Sequence, residues 1–114
     1  MTHLRLTTHA IARWRERVGH NRDSARAGAE LAAAQRHAWK LDRRIAHQLI
    51  PRLTLHRDSG RTIYYIAPSS PPAMLLCRGS VIVTVLPLTE EQLADLVVWS
   101  IWGRLPDRVQ RRTA

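Results

Sequence analysis

Between Thr8 and Val18 the sequence T-H-A-I-A-R-W-R-E-R-V repeats chemically useful side chains at helical spacing. At about 3.6 residues per turn it sorts into two faces. Ala10, Ile11, Trp14 and Val18 form an apolar stripe, while His9, Arg13, Glu16, Arg17 and His20 gather on the opposite side. The spacing predicts an amphipathic helix whose exposed face carries imidazoles and guanidiniums. Thr7 or Thr8 would cap it by offering a hydroxyl to free backbone N–H groups, which sets His9 in the first turn. An imidazole beside two fixed cations can take a proton while the guanidiniums hold a phosphate. Surface decoration is the competing reading, because Glu16 lies three residues after Arg13 and four before His20, the spacing of solvated helix-face pairs.

Charge narrows the chemistry. The 114 residues suit one domain with one core, and 45% of them are apolar. Eighteen basic residues against nine acidic leave +9, and Lys40 is the only lysine. Such a surface favours polyanions, and arginine adds bidentate phosphate contacts that lysine does not make. The expected partner is RNA or another polyanion, or an acidic protein surface. A GC-rich genome would also replace lysine by arginine, but it would not create the excess of positive charge. Cys77 is alone, so no internal disulfide can form and a reducing, cytoplasmic setting is expected. The opening M-T-H-L-R-L-T-T carries no apolar leader core, and no apolar run approaches the ~18 residues needed to cross a bilayer. No membrane role is expected.

The elements that must position the first helix follow from periodicity. Gly19 to Asp23 reads as a loop, with Asp23 or Ser24 as the next N-cap. From Ala25 to Ile50 there is no proline, and Leu31, Ala34, Ala38, Leu41, Ile45 and Leu49 fall three or four apart, predicting one long second helix ended by Pro51. The period then changes to two. Residues 52–57 read as a half-buried strand, Asp58-Ser59-Gly60 as a turn, and Thr62 to Ala67 as the returning strand. After a proline-rich loop, Ala73 to Arg78 and Ser80 to Leu86 give two more strands. The run V-I-V-T-V-L is the most β-prone in the chain and is expected at the centre of the sheet, with Thr84 its single polar residue. L-T-E-E-Q-L opens a last helix through a Thr89/Gln92 capping box, a Leu88/Leu93 staple and two dipole-complementing glutamates. Gly103 and Pro106 bound its far end. The expected fold is α+β, with two N-terminal helices, a four-stranded antiparallel sheet and a C-terminal helix. It forms one domain over residues 1–106, with a basic flexible tail over 107–114.

Two separated signals then form one pattern: H-A-x-x-R-x-x-E-R-V on the first helix, and V-I-V-T-V-L on the last strand. Together they resemble the small phage- and prophage-borne relatives of the RelE, barnase and colicin-type toxin ribonucleases, over roughly Thr7 to Pro87. The resemblance implies N-terminal helices packed on a four-stranded antiparallel sheet and RNA cleavage without metal or other cofactor. The sequence departs from that pattern in lacking a clear counterpart of the extra lysines or glutamates that many such toxins place on their sheet.

Metal-free cleavage of RNA needs a base for the 2′-OH, donors for the phosphorane oxygens and an acid for the leaving oxygen. His9 would be base or acid, Arg13 and Arg17 would hold the phosphate, and Thr84 would donate from the sheet, with His56, Tyr64 or Arg78 as further partners. Nucleic-acid contacts are expected from Arg13, Arg17, His20, Arg43, Arg44 and Arg78. The six histidines lack the clustering of a metal site. Thr84 as an ordinary strand residue, and the tyrosines as core residues with a wet hydroxyl, are the competing readings.

Three functions stay open: a metal-independent toxin-like ribonuclease, a catalytically silent nucleic-acid-binding domain, and a phage-encoded protein that inhibits a host protein. A toxin would have an acidic antitoxin as partner. The last helix bears on the third function. Leu93, Leu96, Val97 and Ile101 would supply its buried stripe, leaving Val98, Trp99 and Trp102 to be covered by a second copy of this chain in a homodimer or by a different protein. The alternative is that the long second helix folds over them.

Overall fold

The structure, a computed structural model, describes residues 4–18, 23–50, 53, 61–69 and 71–109. It is α+β, with two N-terminal helices, a four-stranded antiparallel sheet and a C-terminal helix. Helix α1 spans Thr8–Arg17 and α2 spans Ser24–Arg36. Strand β1 is Trp39–Leu41, followed by a short helix α3, Arg43–Leu49. Strands β2 (Thr62–Ala67), β3 (Ala73–Arg78) and β4 (Val81–Pro87) form an antiparallel meander, and α4 runs Glu90–Trp102. The spatial order is β1-β2-β3-β4.

The single helix expected from Ala25 to Ile50 is therefore corrected to a helix, a strand and a second helix. Trp39, Lys40 and Leu41 pair with Ile66, Tyr65 and Tyr64, so strand pairing overrides a helical period. Asp42 restarts the helix by accepting from the Arg44 N–H at 2.8 Å. The apolar seam is split accordingly. Leu31 and Ala34 join the core beneath α1 and α2, whereas Leu41, Ala46 and Leu49 join the core beneath α4. The strand expected over residues 52–57 and the turn at 58–60 lie outside the described residues, Leu53 excepted. Leu53 is a buried turn residue whose N–H donates to the Ile50 carbonyl at 3.0 Å.

Alternation along the strands builds two cores, one on each face of the sheet. Ala73, Leu75 and Cys77 of β3 point toward α1 and α2, while Ile66 and Met74 point toward α3 and α4. Each such Leu, Ile or Met, fully removed from water, stabilises the fold by about 1.5–3 kcal/mol.

The second correction concerns β4, which is an edge strand and not a central one. Its outer edge is closed by the N-terminal segment. The Arg5 N–H donates to the Ser80 carbonyl at 2.6 Å, and the Ile82 N–H donates to the Arg5 carbonyl at 2.9 Å. Gly79, at φ 59°, leads the two-residue turn between β3 and β4, a conformation that a side chain would strain.

Helix α4 carries the capping box as read: the Gln92 N–H donates to Thr89 Oγ1 and the Thr89 N–H to Gln92 Oε1, each at 3.0 Å. Gly103 ends the helix in the left-handed region at φ 75°. The expected rotation of α4 is overturned. It buries Asp95 and Leu96 and half-buries Leu93 and Trp99, whereas Val97 is 45% and Ile101 69% exposed. The cause lies beyond the helix. Arg108 forms an ion pair with the buried Asp95 and reaches Glu91 at 3.5 Å, which draws Leu105 and Val109 into the core. Residues 107–109 are thus docked and are not the start of a loose tail; residues 110–114 lie outside the described residues.

Two outcomes follow. Arg108→Ala should cost about 1–3 kcal/mol in urea unfolding, less than a fully buried pair because Arg108 is half-exposed, and Asp95→Leu should cost less than Arg108→Ala. Burial raises the Cys77 thiol from 9.0 to about 12. A folded-state value above the unfolded one adds stability that is complete below pH 9 and lost as the pH rises toward 12. The stability of the native protein should therefore fall more steeply over that window than that of Cys77→Ala, and at pH 8 the thiol should resist alkylation until the chain is unfolded.

Candidate functional site

Thr7 fixes α1 twice over. Its hydroxyl oxygen accepts from the Ala10 N–H at 3.0 Å, capping the helix, and its O–H donates to the Ile82 carbonyl at 2.8 Å on the outer edge of β4. The first turn of α1 is thereby tied to the strand. Ala10, Trp14 and Val18 are buried, and the Trp14 indole N–H donates to Glu30 of α2 at 3.4 Å. The opposite face, with His9 and Arg17 exposed and Arg13 half-buried, then overlooks β4.

The sheet meets that face through a register shift. Leu76 pairs with Thr84 but Cys77 with Ile82, so Val83 is the extra residue of a β-bulge. Strict alternation would place Ile82, Thr84 and Leu86 on one face. With the bulge, Ile82 and Val85 fill the core beneath α1, while Val83, Thr84 and Leu86 all line the opposite side.

The result is one cavity of about 350 Å³. Helix α1 contributes His9, Arg13 and Arg17; the strands contribute the hydroxyl-bearing Thr62, Tyr64 and Thr84 together with Arg78; Leu53, Leu76, Val83 and Leu86 form its apolar wall. Three guanidiniums, an imidazole and three hydroxyls converge with no carboxylate among the described lining residues. Arg17 Nη1 donates to the Val85 carbonyl at 3.0 Å, which anchors the guanidinium to β4 and, among the described residues, occupies only one of its five donors. Arg13 pairs with Glu16 at 2.7 Å on the exposed side of the helix. That pair is partly wet and contributes little to stability, so an anion can compete for Arg13.

Of the residues read from sequence, His9, Arg13, Arg17, Tyr64, Arg78 and Thr84 are brought together. Arg43 and Arg44 are not, since they lie on α3 and do not line the cavity. His20 and His56 lie outside the described residues. Two further polar residues that periodicity and motif spacing do not indicate belong to the site. Thr62 lines the wall, and His47 Nε2 is 3.0 Å from the Tyr64 hydroxyl, with the two rings edge to face at 80°. The signal for His47 was available only through Asp42, whose capping starts a new helix in a phase that turns residue 47 toward the sheet. Another cavity, of about 300 Å³, includes Trp14, Glu30 and His37, and its carboxylate makes it the poorer anion site. Among the described residues, no three His, Cys, Asp or Glu side chains gather as metal ligands, and no helix is long and apolar enough to cross a membrane.

Comparison with protein-family models, with curated proteins and with solved structures gives no match. An anion seated among Arg13, Arg17 and Arg78 should stabilise the fold. Inorganic phosphate at ten times its Kd should add about 1.4 kcal/mol, seen as a Tm rise of several degrees beyond that given by chloride at equal ionic strength. Arg78→Gln should lose most of that increment; an equal rise in both proteins would mean a nonspecific salt effect.

Proposed function

We propose that the cavity binds the sugar–phosphate backbone of RNA and cleaves it without a metal, as a toxin-like ribonuclease of the type the sequence resembles. The observation that carries this reading is the convergence of His9, Arg13, Arg17, Arg78 and Thr84 on one wall set with no carboxylate among the described residues that line it. In the proposed step the 2′-oxygen attacks phosphorus and its proton passes to a base. The bond to the 5′-oxygen breaks and that oxygen is protonated, leaving a 2′,3′-cyclic phosphate and a 5′-hydroxyl. His9 and the Tyr64–His47 pair are the two proton-transfer groups. The arginines and the Thr84 hydroxyl stabilise the charge that builds on the phosphorane oxygens, where fixed donors count most.

A reducing, cytoplasmic setting belongs to the same reading, supported by the unpaired Cys77. The cationic cavity also suits an acidic antitoxin, which would block it by occupying the anion site. A second reading is favoured by a different observation: the exposed apolar residues of α4, Val97, Val98, Ile101 and Trp102, make that helix a protein-binding face. It would serve a homodimer or an inhibited host protein, and it asks nothing of RNA.

Three outcomes test the first reading. Purified protein should degrade RNA in the presence of a chelator and yield cyclic phosphate ends. His9→Ala should lower the rate by about 10²–10⁴-fold while leaving RNA affinity within a few-fold. Binding should weaken steeply with salt, and Arg78→Ala should reduce the slope of log K against log salt by about 1. Salt-sensitive binding with no cleavage by the native protein would leave a silent binding domain, and no binding at low salt would leave only the protein-partner reading.

A further inference from the structure

The apolar residues of α4 that face water form a continuous stripe. Ala94, Val97, Val98, Ile101 and Trp102 recur at steps of three, one, three and one, one edge of a helix over two turns, and all are exposed. Ile101 is 69% and Trp102 74% exposed. Together they present on the order of 400 Å² of apolar surface, the size of the largest and often functional patch on a monomeric protein. The patch continues into a groove of about 430 Å³ in which Val98, Trp102, Leu105 and Pro106 are joined by the charged Arg104 and Asp107.

We propose that this stripe is a self-association face that pairs α4 with α4 of a second copy of this chain, antiparallel about a two-fold axis at Val97 and Val98. Three observations favour a second copy over an unrelated protein. The first is local charge. From Leu88 to Val109 the carboxylates Glu90, Glu91, Asp95 and Asp107 outnumber Arg104 and Arg108, although the whole chain carries +9. The stripe therefore lies on a segment whose own charge is negative, so two copies can approach there without the repulsion that the +9 of the whole chain would otherwise impose, and an acidic partner gains nothing there.

The second is complementarity of the ends. The exposed acidic first turn, Glu90 and Glu91, and the exposed Arg104 flank the stripe at opposite ends. Antiparallel pairing about Val97 and Val98 brings the acidic turn of each copy to Arg104 of the other and aligns the helix dipoles favourably. The third is size. The same axis sets Ala94 of one copy opposite Ile101 of the other, small against large, twice over. Doubled across the axis, and extended by the charged ends and the groove, the contact approaches the roughly 1,200 Å² at which specific interfaces begin. None of these residues lines the cationic cavity, so the inference rests on α4 alone and deepens the protein-binding reading without depending on RNA.

Light scattering at two protein concentrations a hundredfold apart tests it, on the native chain, Ile101→Glu, Glu90→Arg, Arg104→Glu and the double charge swap. The expected result is a dimer that dissociates on dilution, with Ile101→Glu a folded monomer by circular dichroism. Each single charge reversal should weaken the dimer at least tenfold, and the swap should restore it. RNA cleavage per chain by Ile101→Glu separates this result from the fate of the ribonuclease reading. A monomer at both concentrations, a dimer that Ile101→Glu leaves intact, or a charge swap that fails to restore what the single reversals lose would each overturn the antiparallel pairing. If Ile101→Glu fails to fold, Val97→Lys at the half-exposed axis position replaces it, with the same expected monomer and the same overturning result.

Discussion

The placement of the site depends on how the outer edge of β4 is closed. An edge strand as apolar as V-I-V-T-V-L, with its backbone groups open, would template pairing with another chain. Here the Arg5 backbone takes up one end of that edge, the Thr7 hydroxyl the Ile82 carbonyl, and the Arg17 guanidinium the Val85 carbonyl. The last two belong to the cap and the final turn of α1, so closing the edge also fixes where that helix lies and how it is rotated. Once Ala10, Trp14 and Val18 are committed to the core, His9, Arg13 and Arg17 have only the far side of β4 to overlook. Edge protection and assembly of the cationic cavity are one set of hydrogen bonds.

That cavity is held in an unfavourable electrostatic state. Three guanidiniums share a concave surface of about 350 Å³ with no carboxylate among its described lining residues, and like charges so placed repel one another. Two local devices keep the arrangement tolerable. Glu16 compensates Arg13 from the solvent side, and a backbone carbonyl holds Arg17 without neutralising it. Neither device removes the positive field at the centre, where an anion would be the largest source of relief. The β-bulge completes the design by turning Thr84 toward the cations while leaving Ile82 and Val85 in the opposite core.

How much of this was legible depended on whether the deciding interaction was local. The first helix, its threonine cap, three of the strands, the capping box and the gathering of His9, Arg13 and Arg17 all follow from side chains within a few residues of one another. Thr84 was read as a site residue because it is the one polar residue of its strand, but the bulge that aims it at the cavity leaves no mark in V-I-V-T-V-L. The long second helix is not legible as three elements because Trp39 to Leu41 become a strand only by pairing with β2, some two dozen residues later. Alanine and leucine three or four apart do not reveal that one seam serves two cores. His47 was lost with that error, since its approach to Tyr64 requires the separate helix that Asp42 begins.

Helix α4 shows why periodicity can fail even when the helix itself is certain. Its C-terminal half is apolar almost all round, so turning Val97 and Ile101 inward beside Leu96, in place of Trp99, would also bury a large apolar surface. The hydrophobic effect alone scarcely chooses between those rotations. Asp95 makes the chosen face look like the wet one, because an unpaired carboxylate is costly to bury. Arg108 reverses that inference from thirteen residues away, and the same contact brings Leu105 and Val109 into the core, where their burial adds to the preference. The rotation is thus decided by a polar pair and the turn it anchors. The apolar stripe left outside is the other half of an ambiguity that the core could resolve only once.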